Sequence, residues 1–187
     1  MNKLRLSVVG ALSILISLSS FAQAPSWQIV PNSSVIKFTA TQNNAPVTGE
    51  FKKFDGEIIF DANNLKESKI KLTVDMDSVS AGFQELAAML KTIDWFDTTA
   101  FPKASFESTL ITPDKKGFLV KGDLTVRDKK SPIQVEVVLD ESTPNAMKLH
   151  GAAILSRTAF GVGQGEWANT SEVKDEVNVN FNLELKR

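Results

Sequence analysis

Residues 94–108 read DWFDTTAFPKASFES and mark the place where the pattern of the sequence changes. This aromatic corner carries four large aromatic side chains around Pro102, and it joins a helix-like segment to a strand. On both sides of it, apolar and polar residues alternate with the period of two that is typical of half-buried β-strands. The corner is therefore either a plug of hydrophobic core or a lid over a cavity, since ligand sites favour apolar linings at the mouths of β-barrels.

Residues 82–93 precede the corner and are predicted to form one amphipathic helix inserted mid-chain. Their apolar side chains follow the i, i+3, i+4, i+7 spacing that places them on one helix face. Glu85 near the start and Lys91 near the end suit the helix dipole. The predicted apolar face consists of Phe83, Leu86, Ala87, Leu90 and Ile93.

The rest of the chain from Trp27 onward is predicted to form β-strands, each with one apolar and one polar face. In residues 47–61 the apolar residues shift from one set of alternate positions to the other at Lys52-Lys53. One extra residue there, a β-bulge, places all of them on the same inner face again. We expect a single long, bent strand in that segment. About eight antiparallel strands predict an all-β protein, either an up-and-down barrel or a sandwich. The strand after the corner is expected to direct inward Ala104, Phe106, Ser108 and Leu110.

The first 24 residues are predicted to be a signal peptide rather than part of the fold. Lys3 and Arg5 precede a short apolar run over residues 6–18, and Ala22-Gln23-Ala24 has the small residues of a cleavage site. The run is too short for a membrane span, which needs about 20 apolar residues. We therefore expect an exported, periplasmic protein whose residues 25–187 form a single domain.

Composition excludes several classes of function for this domain. The sequence contains no cysteine, which excludes disulfides, thiolate chemistry, cysteine metal sites and a lipid anchor at the cleavage site. The formal net charge is −1, and removal of Lys3 and Arg5 leaves a mildly acidic product. Such a product lacks the basic footprint of a nucleic-acid-binding protein, so we expect no nucleic-acid partner.

Catalytic groups are sparse in this sequence. The single histidine, His150, lies on the polar phase of its strand, and we expect it on the surface. No glycine-rich phosphate loop, nucleophile elbow or histidine zinc motif is present. The pairs Asp75/Asp77 and Asp94/Asp97 remain candidates for acid catalysis or metal binding, although outward strand faces show the same spacing. We expect no enzyme activity, no cofactor and no metal site.

Four glycines, Gly49, Gly56, Gly122 and Gly151, fall on the inner phase of predicted strands. A glycine inside a strand costs about 0.5–1 kcal/mol relative to alanine, so each one needs a reason. Two explanations remain open. The glycines either kink the strands so that they coil around a barrel, or they leave space for a ligand inside it.

Residues 155–167, LSRTAFGVGQGEW, combine three glycines with two aromatic residues between strands. This composition predicts a mobile loop at a cavity entrance, with Phe160 among the residues that contact a ligand. Arg157 in the same loop has two interpretations. It either pairs with a surface carboxylate or contacts the anionic or polar head of a ligand.

Five parts of the chain together resemble the YceI-like family. They cover essentially the whole mature chain in order, which is more specific than any one motif. Many family members carry a histidine after the first strand, where this chain has Gln42-Asn43, so no contact is transferred from that histidine. The matching parts are TGEFKKFDG at 48–56 with FD at 60–61, WFD at 95–97 with FPKASFES at 101–108, GDLTV at 122–126, Arg157 with Phe160-Gly161, and VNVNFNLEL at 177–185.

The resemblance implies an exported, lipocalin-like antiparallel barrel of eight strands. Family members are regarded as binders of long apolar molecules, notably polyisoprenoids such as isoprenoid quinones or prenyl pyrophosphates, and some associate as dimers. We therefore expect an isoprenoid-like lipid as the bound partner. A homodimer and transient contact with the membrane or a membrane protein are the further associations that we expect.

The ligand contacts themselves are predicted from strand parity and not from the family. The lipid tail is expected among inward side chains beneath the predicted helix. Two alternatives remain open: a module that acts on a partner through its surface, and an enzyme that acts on a lipid head group through Asp94, Asp97 and Arg157. The predicted contacts are Phe38, Phe51, Ile58, Leu72, Leu86, Leu90, Trp95, Phe106, Leu124, Arg157 and Phe160.

Overall fold

The computed structural model describes residues 24–187, in which eleven strands form one antiparallel sheet. The sheet closes on itself because β1 pairs with β11. The predicted signal peptide lies outside the described residues apart from Ala24. The strands are β1 (Ser26–Ile29), β2 (Val35–Gln42), β3 (Ala45–Phe51), β4 (Phe54–Ile59), β5 (Lys69–Asp75), β6 (Val79–Ala81), β7 (Lys103–Asp114), β8 (Gly117–Val126), β9 (Lys129–Ser142), β10 (Ala146–Ser156) and β11 (Glu176–Lys186).

The eleven strands fill eight positions around the barrel because three positions hold two consecutive strands each. β1 and β2 share the first position, β3 and β4 the second, and β5 and β6 the third. From there each position pairs with the next one along the chain, up to β10 with β11. The predicted eight-stranded up-and-down barrel is confirmed, and the sandwich is excluded.

The change of apolar phase at Lys52-Lys53 falls between β3 and β4. The amide of Lys52 donates to the carbonyl of Ser78 at 3.2 Å, and the amide of Lys53 donates to Ser78 Oγ at 3.0 Å. The break between β3 and β4 therefore lies beside the break between β5 and β6, which Met76–Ser78 form. The segment expected to be one bent strand is two strands, and Phe51 and Ile58 face the interior on either side of the break.

The inward orientation predicted for Leu110 is wrong. The pairing of β7 with β8 shifts register between Ser108 and Leu110, so Thr109 is an extra residue. Such a bulge reverses the side-chain phase that follows it. Leu110 is consequently 50% exposed, whereas Ile111 is 6% exposed and buried in the core.

The predicted helix is shorter than expected. Helix α1 spans Gln84–Leu90, with Leu86 and Leu90 buried on its inner side. Phe83 and Ile93 lie beyond its ends and are 61% and 71% exposed, so the prediction that they share the apolar face is wrong. The chain reverses sharply after α1, where the amide of Phe96 donates to the carbonyl of Leu90 at 3.0 Å. Within residues 24–187, no helix has the length and apolar character that crossing a bilayer requires.

Buried apolar side chains form two clusters, one toward each end of the barrel. The basal cluster contains Trp27, Ile29, Ile58, Phe60, Ile111, Val120, Met147, Leu183 and Leu185. The lid cluster contains Phe38, Val79, Leu86, Leu90, Trp95, Phe160, Val162 and Val173. The strands supply the basal cluster, whereas α1, the corner and the loop of residues 157–175 supply most of the lid cluster.

Candidate functional site

A cavity of about 280 Å³ lies inside the barrel and is lined by residues of both clusters. Among its lining side chains only Gln42 and Arg157 are strongly polar, and no carboxylate or lysine is included. All eleven residues predicted from strand parity line this cavity, although contact with a ligand stays a prediction. They are Phe38, Phe51, Ile58, Leu72, Leu86, Leu90, Trp95, Phe106, Leu124, Arg157 and Phe160.

Other lining residues were missed by the sequence interpretation. Val179 and Phe181 of β11 lie on the apolar phase of a predicted strand, so the same parity signal would have found them. Phe96, Val162 and Val173 come from the corner and the 157–175 loop, where no periodic pattern identifies an inward side chain. The Phe96 ring packs 5.8 Å from Phe51 and 6.4 Å from Phe38, which attaches the corner to the barrel wall.

Three of the four inward glycines lie beneath phenylalanine rings, whereas Gly56 lies against the Lys71 carbonyl and the side chains of Ile29 and Leu72. A Cβ added at Gly122 would lie 2.6 Å from the Phe106 ring, far inside normal carbon contact distance. A Cβ at Gly49 would overlap the Phe38 ring on the paired strand, and one at Gly151 would overlap the Phe181 ring. At these three positions an aromatic ring covers the glycine on the sheet surface, and the explanation by strand kinks stays a prediction.

The lid consists of α1, the aromatic corner and the loop of residues 157–175, and polar contacts hold its parts together. Arg127 Nη1 donates to the carbonyls of Ile93 and Trp95 at 2.8 and 2.5 Å. The guanidinium also lies 5.4 Å from the centre of the Phe101 ring. Lys91 Nζ lies 3.1 Å from Asp77 Oδ1, which connects the end of α1 to the turn before β6.

The 157–175 loop joins the corner to the β2–β3 hairpin. The Asp94 carbonyl accepts hydrogen bonds from the amides of Gly163 and Gln164 at 2.8 and 2.7 Å. The Asn43 amide donates to the carbonyl of Glu172 at 2.8 Å on the hairpin side. The loop therefore completes the cover over this end of the cavity.

Arg157 is the centre of that loop. It is 3% exposed, and its hydrogen bonds all go to backbone carbonyls. The acceptors are the carbonyls of Val162, Gly163, Trp167, Asn169, Val173 and Lys174. The five N–H groups of a guanidinium are thereby occupied, so none is free for a surface carboxylate or a ligand head.

Neither sequence interpretation of Arg157 describes this arrangement, although the side chain does line the cavity. Burial lowers the pKa of the guanidinium from its ordinary value, and the nearby Asp175 acts in the opposite direction. An arginine remains protonated at neutral pH. The lid therefore contains a buried positive charge that is solvated by peptide dipoles.

The remaining candidates for chemistry lie away from the cavity. His150 is exposed on β10, as predicted, and its Nδ1 lies 2.8 Å from Asp140 Oδ1. Asp94 and Asp97 belong to the corner, but neither lines the cavity. Within the part of the chain that the structure covers, no three carboxylate or histidine side chains are grouped as metal ligands.

The sequence of this barrel also matches a known protein family over nearly all of the described residues. A family model described as the YceI-like domain matches residues 27–185. The chain belongs to the YceI-like family. The resemblance seen in the sequence is thus confirmed, together with the lipocalin-like eight-stranded barrel that it implied.

One solved structure and one curated sequence are among the proteins similar to this chain. BcnA of Burkholderia cenocepacia is 31% identical, with a TM-score of 0.79 over 83% of this chain and 98% of that one. Protein YceI of Shigella flexneri is 34% identical over 91 residues, which are 49% of this chain and 48% of that protein. The chain thus spans about half the length of the curated relatives that it matches.

A more distant solved structure shows the fold alone. It is a polyisoprenoid binding domain from Saccharophagus degradans, implicated in plant cell wall breakdown. It superimposes with a TM-score of 0.69 at 13% identity, over 86% of this chain and 97% of that domain. The eight-stranded architecture is therefore retained where most side chains differ.

Proposed function

We propose that this protein is a periplasmic binding or carrier protein for a long apolar amphiphile such as a polyisoprenoid or an isoprenoid quinone. The observation that carries the proposal is the cavity of about 280 Å³ with an almost entirely apolar lining. Ligand sites are typically apolar cavities with a few placed polar groups, and this one lies inside a barrel whose lid is held by polar contacts. Binding is the proposed activity, without a catalytic step.

Burial of the tail supplies the affinity. Each methylene removed from water contributes about 0.8 kcal/mol, before the cost of ordering the chain. An apolar cavity of about 150 Å³ holds benzene, so about 280 Å³ suits a segment of roughly a dozen carbon atoms. A longer isoprenoid therefore needs either a displaced lid or a tail that extends through it.

Two further observations support the proposal. The Saccharophagus degradans domain of the same fold is a polyisoprenoid binding domain. The predicted signal peptide, with Lys3 and Arg5 before an apolar run, supports export to the periplasm. There a soluble carrier would shield an apolar molecule from water.

The exposed ends of α1 favour transient membrane contact as part of this function. Phe83 and Ile93 are 61% and 71% exposed, and they flank the helix whose inner side lines the cavity. Apolar side chains in this position suit the collection of an insoluble ligand from a bilayer surface. In the alternative, a surface interaction module without a bound lipid, the same two residues would contact the partner. The homodimer stays a prediction.

Native mass spectrometry of the protein purified from a bacterial periplasm tests the proposal. We expect co-purified lipid, or uptake of added isoprenoid by the stripped protein. Ala153→Phe fills the cavity from its wall and should abolish uptake, since Ala153 lines it. Ala152→Phe is the matched control, because the next residue on β10 does not line the cavity. A protein that stays empty after lipid loading, or uptake equal in both variants, would contradict the proposal.

A further inference from the structure

Trp95, whose side chain lines the cavity, carries an unusual buried polar atom. Its indole Nε1 is the only buried side-chain nitrogen or oxygen without a hydrogen-bond partner in residues 24–187. The residue is 7% exposed, and it lines the cavity. A buried donor that lacks an acceptor costs free energy, and native structures rarely contain one without a reason.

No group beside Trp95 supplies the missing acceptor. The Nε1 atom exposes less than 1 Å² of surface, so bulk water does not satisfy it. The ring of the neighbouring Trp167, with its centre 5.6 Å from that of Trp95, carries no acceptor oxygen. Arg157, the charged residue of this end of the cavity, is itself only a donor.

We propose that Trp95 Nε1–H donates a hydrogen bond to an uncharged acceptor oxygen of the ligand, such as the carbonyl of a ketone, quinone or ester. The inference rests on the proposed function and defines the chemistry of the polar end of the ligand. The indole ring lines the cavity, and because Nε1 itself exposes less than 1 Å² of surface, the ring must turn toward the interior for the N–H to reach a bound molecule. The ligand then removes the cost of the unpaired donor.

The lining favours an uncharged acceptor over an anion. A buried diphosphate or carboxylate needs paired cations and several donors. The cavity lining contains one cation, Arg157, and backbone carbonyls already occupy its N–H groups. A single indole N–H matches the requirement of one carbonyl oxygen.

The test compares dodecane with 2-dodecanone, two probes of equal chain length, on the wild type and on Trp95→Phe. Competition against a fluorescent polyene hydrocarbon gives each affinity. Trp95→Phe keeps an aromatic ring and removes the N–H, so the ketone should bind about 2- to 12-fold more weakly, the value of one neutral hydrogen bond. Dodecane affinity should stay within about twofold, because it makes no hydrogen bond.

Trp27→Phe is the matched control. Trp27 does not line the cavity, and its Nε1 donates to the carbonyl of Phe60 at 3.0 Å. This variant should change neither affinity. The inference is overturned if Trp95→Phe weakens both probes equally, or weakens neither. Failure of both probes to bind the wild type would instead contradict the proposed function.

Two further measurements use only the wild-type protein, so they do not depend on the folding of a variant. The sequence contains three tryptophans, so a ¹⁵N spectrum shows three indole N–H signals. The Trp95 signal should move downfield with 2-dodecanone and much less with dodecane, and equal shifts would contradict the inference. Dodecanoate should bind more weakly than the ketone, and tighter binding of the carboxylate would overturn the preference for an uncharged acceptor.

Discussion

Trp27 and Trp95 are buried at opposite ends of the same barrel and differ in what their indole N–H groups contact. Trp27 is 5% exposed, and its Nε1 donates to the Phe60 carbonyl at 3.0 Å. The Arg187 guanidinium lies 5.2 Å from its ring centre. Trp95 is 7% exposed, and its Nε1 has no partner. The indole donor at the basal end is thus paired, whereas the lid end retains an unused donor.

The two ends also differ in how they are held. At the base, the strands β1, β4, β10 and β11 pair directly around the basal cluster. At the lid, the cover depends on side-chain contacts with backbone carbonyls, chiefly those of Arg127 and Arg157. Contacts of this kind break locally without opening the sheet, and elements that move are drawn from the less stable parts of a fold. We therefore expect the cover to open more readily than the sheet at the base.

The largest expected effect is the difference in stability between truncation of Trp27 and truncation of Trp95. Trp27→Ala should lower the free energy of unfolding by about 3–5 kcal/mol, as truncation of a core aromatic does. Trp95→Ala should cost less, because the ring borders an existing cavity, and it should release a bound polyene hydrocarbon faster. Urea unfolding and stopped-flow release measure both quantities. A severe loss of stability with an unchanged release rate for Trp95→Ala would make the lid end a core like the base.

Arg157→Leu should have the next largest effect and should act locally. The substitution leaves up to six backbone carbonyls without their donor. Each buried unpaired group costs about 1–3 kcal/mol, although opening of the loop admits water and limits the total. We expect faster hydrogen exchange in residues 158–175 with the exchange of β8 and β9 unchanged. Equal acceleration throughout the barrel would show that the loop belongs to the global core.

A pair of arginines provides a matched comparison of the two ends. Arg127 and Arg187 each place a guanidinium over an aromatic ring and donate to backbone carbonyls, Arg127 at the lid and Arg187 at the base. Arg127→Ala should speed probe release about 5- to 30-fold, the value of one or two exposed contacts. Arg187→Ala should leave release within about twofold. Similar release rates for the two variants would remove the distinction between the ends.

The smallest effect concerns pH and the ion pair of the lid. The hydrogen bond and charge of Lys91 hold the pKa of Asp77 below its ordinary value of 3.8. A carboxylate with a lowered pKa stabilises the folded lid above the ordinary pKa, and this contribution is lost as pH falls through the lowered value. Release should therefore be constant near neutral pH and accelerate only below pH 3.8. Asp77→Asn should reduce that acceleration.

Glu107 serves as the control for this pH profile because it lies on β7, outside the lid. Lys69 and then Lys71 lower its pKa from 4.5. Glu107→Gln should leave the acid acceleration of release intact. Loss of the acceleration in Glu107→Gln would assign the pH dependence to the barrel wall instead.

The sequence predicted the strand-borne part of the cavity well, because a period of two specifies the inward side chain. Phe38, Leu72 and Leu124 line the cavity for that reason. Periodicity failed where geometry changes without a compositional sign. The extra residue Thr109 reverses the phase before Leu110, and α1 ends too early to include Ile93.

The surroundings of Arg157 were beyond prediction for a different reason. Its acceptors lie between Val162 and Lys174 and are backbone carbonyls, which carry no side-chain signature. The unpaired N–H of Trp95 is likewise a property of packing. The sequence shows only that Trp95 carries a donor. The absence of an acceptor beside it depends on the tertiary contacts of Trp167 and the loop.

The phenylalanine rings that cover glycines help to set the width of the bore, the interior of the barrel. Phe106 over Gly122 and Phe181 over Gly151 each form a unit of two residues on paired or neighbouring strands. Replacing such a ring by leucine would free space in the bore, whereas a methyl group added at Gly122 or Gly151 would overlap the backbone carbonyl of Glu107 or Glu136 and displace a strand. The first change leaves the hydrogen-bonded sheet in place, and the second does not. The width of the interior can therefore be altered at the phenylalanines, whereas the backbone of the paired strand requires glycine at the positions beneath them.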